Sequence, residues 1–291
     1  MTNRSSIATN SANQTVKFSL WRYWLAALII LLAICAAAAG LLLNNLYRDN
    51  AFLQAIWQAT DMATLVLPIP VFIGALVSAR RGSIHAEMVW LAMLDFMLYN
   101  YAYYLFGAAF NAVFLIYVAL FTFSLYGLIF GLIRLDANAI ARCFTEKTPV
   151  RWISGFMLFV AVGLVVIYSA MTLSFITTGT PPAIVTLTAH PTSVVFALDL
   201  SLVVPPLLLG AIWLWQRQPW GYILATVALV KGAVYMLVLA YVSWRVSQTV
   251  APAVSAEIPL WFTLGVGSAI AAAFLLGNLK NAHQVENGKL L

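Results

Sequence analysis

Eight apolar runs divide the chain, at roughly 23–46, 56–79, 86–106, 109–133, 152–175, 193–215, 220–244 and 258–279. A helix crosses the hydrocarbon of a bilayer with about 20 apolar residues, and each run is long enough. The predicted fold class is therefore an all-α integral membrane protein with eight transmembrane helices. The polar gaps are short, apart from 176–192 and 245–257 on one side and 134–151 on the other. The last gap contains LDANAIARCF, which reads as one short interfacial helix and as the boundary between two halves. The expected organisation is a polar N-terminus (1–22), a first four-helix half (23–133), a linker (134–151), a second half (152–279) and a tail (280–291).

Composition agrees with this pattern. Of the 291 residues, 63% are hydrophobic and only 8% charged, whereas a soluble domain carries about a quarter charged residues. The charges are also unevenly spread. Arg4, Lys17, Arg22, Arg80, Arg81, Arg134, Arg142, Lys147, Arg151, Arg217, Lys280 and Lys289 fall on one side of the runs, and only Arg48 and Arg245 on the other. The positive-inside rule places the first set, and both termini, in the cytoplasm. The expected location is a cell membrane, read as a prokaryotic plasma membrane. The net charge of +6 is this bias and implies no nucleic-acid partner. Cys35 and Cys143 offer no disulfide framework or metal-ligand spacing. LAIC (32–35) is not a lipoprotein box, because Ile34 rather than a small residue precedes the cysteine, and the first run reads as an uncleaved span.

A costly phrase occurs twice. Residues 59–74 read ATDMATLVLPIPVFIG and 196–210 read FALDLSLVVPPLLLG, each with an acid seven residues before a proline. Slid back by 138 residues, Asp199 meets Asp61 and Pro206 meets Pro68. Slid back by 136, Lys231 meets Asp95 and Tyr235 meets Tyr99. Four spans per half is an even number, so the repeat is expected to be parallel, with its pseudo-two-fold axis along the membrane normal. Two similar apolar halves without common ancestry remain the alternative. The layout is analogous to that of two-halved transporters, an analogy of architecture and not of function.

Asp61, Asp95, Asp199 and Lys231 are the ionisable residues expected inside the bilayer, where each costs about 2.5–3.5 kcal/mol near a helix centre. Across a two-fold, Asp95 and Lys231 face each other and neutralise, leaving Asp61 and Asp199 as a symmetric pair of acids in an outward-open polar cavity. Pro68 frees the carbonyl of Thr64, and Pro205 and Pro206 free those of Ser201 and Leu202. Asp95, Tyr99 and Tyr103 lie on one helical stripe, which Lys231 and Tyr235 repeat. The candidate ligand- or proton-binding set is Asp61, Asp199, Asp95, Lys231, Tyr99, Tyr235, Thr64 and Ser201. Plainer readings stand beside it: helix-capping for Asp61 and Asp199, a structural ion pair for Asp95–Lys231, packing kinks at the prolines, and an interfacial aromatic belt for Tyr103 and Tyr104.

His85, His190 and His283 are too scattered for a haem, copper or di-iron centre, and no phosphate loop or nucleophile elbow occurs. We expect no metal, no cofactor and no catalytic residue, and an enzyme is the less favoured class. The expected partners are membrane lipid and an unidentified small solute or ion, with the oligomeric state open. Two functions remain: a small-solute or ion transporter, proton-coupled through intramembrane aspartates, or a non-transporting sensor or accessory protein with an outward pocket. Orientation is testable first. Cysteines placed at positions 180 and 250 should react with an impermeant maleimide in intact cells, and Cys143 should not.

Overall fold

The computed structural model describes residues 20–280. The N-terminal and C-terminal segments that carry Arg4, Lys17, His283 and Lys289, and with them most of the expected polar N-terminus and tail, lie outside the described residues. In chain order the helices are α1 (Leu20–Leu42), α2 (Ala51–Val66), α3 (Pro68–Ala79), α4 (Ile84–Gly107), α5 (Phe114–Ile133), α6 (Ala137–Cys143), α7 (Val150–Thr178), α8 (Ala183–Thr188), α9 (Val194–Leu198), α10 (Val204–Trp215), α11 (Pro219–Ser247) and α12 (Ile258–Gly277). A π-helical turn, Asp199–Val203, joins α9 to α10, and a 3-10 turn, Pro252–Glu257, precedes α12. No strand occurs among the described residues, only a single bridged pair, Phe144 with Leu279.

Local chemistry sets the helix boundaries. Asn50 Oδ1 accepts from Leu53 N at 2.9 Å and starts α2. Ser83 Oγ accepts from Ala86 N at 3.3 Å and starts α4, and Ser193 does the same for α9 through Phe196 N. These residues accept from N–H groups that a first helical turn otherwise leaves orphaned. Asn50 and Ser193, and not Asp61 or Asp199, therefore supply the N-cap hydrogen bonds of α2 and α9. Pro68 cannot donate to Thr64 O, so the chain breaks at Leu67 and α2 and α3 become the two parts of one interrupted span, Ala51–Ala79. The second interrupted span, Val194–Trp215, consists of α9, the π turn and α10.

Seven helical stretches are long and apolar enough to cross a membrane: Trp21–Leu42, Ala51–Ala79, Phe114–Ile133, Val150–Thr178, Val194–Trp215, Pro219–Ser247 and Pro252–Gly277. Of the eight runs, α4 alone falls short of this description. Its 24 residues suffice in length, but it carries Glu87, Asp95, Asn100 and four tyrosines. It is instead the most enclosed helix, with Trp90, Leu91, Met93 and Phe96 fully buried. Helix α4 packs against α3, α5 and α11, and α11 packs against α2, α10 and α12. These two helices form the centre, and the small residues of their neighbours let them approach closely. A Cβ on Gly131 of α5 would press on Leu91 and Trp90 of α4, and one on Gly265 of α12 would press on Met236 and Leu237 of α11.

Large apolar side chains cover the outside. Phe159, Val166, Leu173 and Ile176 of α7 are all more than half exposed. With so much apolar surface outward and charged pairs inward, the chain is a polytopic helical membrane protein in contact with lipid. At one end of the bundle the 134–149 segment closes the base. Asp136 caps α6, and Lys280 N donates to Cys143 O at 2.8 Å while Thr145 N donates to Asn278 O at 3.0 Å. Cys143 is 7% exposed, and burial pushes its thiol above the usual range. The thiolate is the species that reacts with maleimide, so silence of Cys143 would report burial and not sidedness. The usable probe is Glu146→Cys at an exposed position, in a background lacking Cys35 and Cys143. Thr180→Cys and Val250→Cys should label in intact cells and Glu146→Cys only after permeabilisation; the reverse pattern would invert the orientation.

Candidate functional site

Around the candidate residues the polar side chains gather into two separate clusters, and α4 contributes to both. Tyr99 and Tyr104 are five residues apart, which places them about 140° apart around the helix axis. They therefore point to different sides, and each meets one of the two repeated aspartates.

On one side, Tyr104 OH donates to Asp61 Oδ1 at 2.9 Å and lies 3.1 Å from Trp57 O. Tyr47, from the segment after α1, donates to Asp61 Oδ2 at 2.5 Å. Each carboxylate oxygen thus has its own phenol, an arrangement that satisfies an acceptor-only group in a dry interior. Asp61 is 3% exposed and Tyr104 1%. Trp57 lies against Tyr104 with centroids 4.7 Å apart and planes tilted by 37°, and closes the cluster. Gly40 of α1 completes the wall, because a Cβ there would fall on Asp61 Oδ2 and Tyr47 Oη. Thr64 lies about one turn further along the same face of α2, 1% exposed, with no hydrogen-bond partner at its hydroxyl among the described residues.

On the other side, Tyr99 OH donates to Asp199 Oδ1 and Tyr168 OH to Asp199 Oδ2, both at 2.5 Å. Asp199 begins the π turn, and Phe196 stacks on Tyr168 at 4.1 Å, fixing the phenol of α7 against it. Lys231 Nζ lies 4.7 Å over the Tyr99 ring and 3.4 Å from Asp95 Oδ2. Tyr235 meets Tyr99 edge-on at 4.9 Å. Asp95, Lys231, Tyr99, Asp199 and Tyr168 thus form a continuous polar chain from the centre of the bundle to its flank, where Asp199 and Tyr168 are half-buried. π turns of this kind recur at functional sites, and the Pro205–Pro206 pair just beyond it removes two further backbone donors.

Of the eight candidate residues, Asp95, Lys231, Tyr99, Tyr235 and Asp199 belong to this chain, and Asp61 and Thr64 to the other cluster. Ser201 belongs to neither. It is exposed two residues past Asp199, and its hydroxyl donates to Ala197 O at 2.6 Å. The two repeated acids share no hydrogen bond or ion pair among the described residues. Sequence reasoning assigned Tyr104 to an interfacial belt, but it is a buried partner of Asp61. It passed over Tyr47 and Tyr168, and it passed over Glu87, which accepts from Arg22 Nη2 at 2.7 Å with both side chains almost fully buried. The signal for Glu87 was present: an acid inside the third run, opposite an arginine at the start of the first.

None of the eight candidates lines either of two surface clefts. The larger, about 610 Å³, lies between α2 and α11 and presents Gln54, Gln58, Tyr241, Trp244, Arg245 and Thr249. No group of histidine, cysteine or acidic residues that could hold a metal occurs among the described residues. No family model, curated protein or solved structure matches the chain.

Two outcomes follow from this geometry. Asp95→Asn and Lys231→Met should each destabilise the protein by about 3–5 kcal/mol, the cost of leaving one buried charge without its partner. The double variant should lose clearly less than the sum in thermal unfolding, and a fully additive loss would show that the two are energetically independent. Gly40→Ala should cost about 1–3 kcal/mol through overpacking against the Asp61 clamp. A melting temperature equal to that of the unaltered protein would mean that the clamp yields freely.

Proposed function

We propose that the protein is an eight-span membrane transporter for a small solute or ion, proton-coupled through Asp199. The observation that carries this reading is the polar chain Asp95–Lys231–Tyr99–Asp199–Tyr168, which joins a central ion pair to a half-buried acid at a broken helix. Intramembrane ionisable groups on discontinuous helices recur where transporters hold protons and ions. Helix α4 is then the eighth span, and its polar residues are the reason it lies at the centre. A parallel four-plus-four repeat fits the matching helix contacts: α4 with α5 corresponds to α11 with α12, and α3 with α4 to α10 with α11; the uneven spread of basic residues supports cytoplasmic termini.

In this reading the two repeated acids have different tasks. Asp61 is locked by Tyr47, Tyr104 and Gly40 and serves as a fixed joint. Asp199 has the same two-phenol clamp, but one phenol, Tyr168, sits on the peripheral helix α7. A shift of α7 would withdraw that donor and leave Asp199 Oδ2 open to a proton. Lys231, bridging Asp95 and the Tyr99 ring, is placed to respond to the change in charge.

A second reading, a membrane sensor or accessory protein without transport, is favoured by the cleft at Gln54, Gln58 and Arg245. It offers polar ligand-binding groups away from the charged chain.

The proposal is tested without knowing the solute. Infrared difference spectra of the reconstituted protein between about pH 5 and pH 8 should show a buried carboxyl band that vanishes in Asp199→Asn and persists in Asp61→Asn. Solid-supported-membrane recordings against amino acids, sugars and organic acids should then give currents that Asp199→Asn abolishes. A band unaffected by Asp199→Asn removes the proton role. An Asp199 band with no current for any compound supports the sensor reading.

A further inference from the structure

A second cleft, of about 490 Å³, lies at the end of the bundle closed by the 134–149 segment, between the start of α7 and the end of α10. Thr148, Pro149, Arg151, Trp152, Trp215 and Arg217 line it. Its charge is one-sided. No carboxylate is among its lining residues, and neither arginine forms an ion pair among the described residues, where the ion pairs are Arg22–Glu87 and Lys231–Asp95.

The two guanidinium groups are held differently. Arg217 has a left-handed backbone, φ 55, a conformation that a non-glycine residue adopts at a cost. It is fixed there by its Nη1 donating to Tyr222 OH at 3.3 Å and its Nη2 to Glu146 O at 3.2 Å. Gly221 supports the same turn, since a Cβ on it would strike the backbone of Trp213 and Leu214. Arg151 is exposed and makes no hydrogen bond among the described residues, so its donors are all available to a ligand. One anchored and one free guanidinium in a single cleft suit an anion with several oxygens, because the planar fork matches phosphate geometry.

The surroundings select the carrier of that anion. Trp152 is 48% exposed and Trp215 51%, and indoles prefer the headgroup level of a bilayer. From Trp215, the exposed side chains of Ile212 and Leu209 continue along one face of α10, away from the cleft and into the apolar belt. A charged head at the cleft and an apolar stripe leading from it describe an amphipathic ligand. We propose that this cleft binds the phosphodiester head of an anionic phospholipid, with an acyl chain lying along Ile212 and Leu209. Basic pockets between membrane helices are where such heads are recognised. The site is independent of the transport reading and needs only that the chain sits in a bilayer.

Native mass spectrometry of the detergent-purified protein tests this, with dioleoyl phosphatidylglycerol and dioleoyl phosphatidylcholine as probes. The wild type should retain phosphatidylglycerol over phosphatidylcholine by at least about fivefold, the scale of one well-placed basic residue at a membrane surface. Arg151→Gln combined with Arg217→Gln should abolish the preference. Since the strained turn at 217 makes that variant prone to misfold, Arg151→Gln alone should reduce the preference at least about twofold at an unchanged melting temperature. Arg81→Gln, an exposed arginine outside the cleft, should leave it intact. Equal retention of the two lipids by the wild type, an unchanged preference in Arg151→Gln, or an equal loss in Arg81→Gln would overturn the proposal. Displacement of the lipid by inorganic phosphate at the same concentration would also overturn it, since the cleft would then be a free-phosphate site.

Discussion

A bilayer interior offers no water to a buried polar group, so a buried charge or carboxylate left without a partner inside the protein is costly. This constraint falls hardest on α4, which carries Glu87, Asp95, Tyr99 and Tyr104 along a single helix. Each of these meets a partner from a different element: Arg22 at the start of α1, Lys231 on α11, Asp199 in the π turn, and Asp61 on α2. These four contacts tie both halves of the chain to one central helix. They also explain why the most polar of the eight runs is the most enclosed, while the almost uncharged α7 lies at the periphery with little of its surface buried.

The same constraint separates the two repeated acids. Asp61 and Asp199 occupy matching positions in the sequence, each before a proline and each held by two phenols. Their clamps are nevertheless assembled from different places. Tyr47, Tyr104 and Trp57 enclose one, and Gly40 packs so closely against it that a Cβ there would meet the carboxylate. The other relies on a tyrosine of the outermost helix and continues into an ion pair. A repeated phrase in sequence thus becomes a fully buried acid in one half and a connected, half-buried one in the other. Only the Asp199 clamp draws a donor from the peripheral helix α7, which is why the proposed proton role falls to Asp199 and not to both acids.

Much of the frame was legible along the chain. The apolar runs match the helices to within a few residues at most ends, because length and apolar composition are the properties the bilayer selects. The breaks at Pro68 and before Pro205 were equally readable, since a missing N–H is a local fact. Asp95 and Lys231 stood at equivalent positions in the spacing of the two halves, and both are too costly in lipid to stand alone.

The partners of the acids were not legible. Tyr47 lies 14 residues from Asp61 and Tyr168 lies 31 from Asp199, and nothing in an apolar run says which side of a helix will face which neighbour. Rotation about the helix axis decides it. Five residues carry Tyr104 to the opposite flank from Tyr99, and two residues turn Ser201 away from the chain that Asp199 joins. Composition and spacing determine which groups must be satisfied within the membrane; packing angles between helices far apart in sequence determine which groups satisfy them. The former depends on each residue's own chemistry, while the latter exists only once the helices have met.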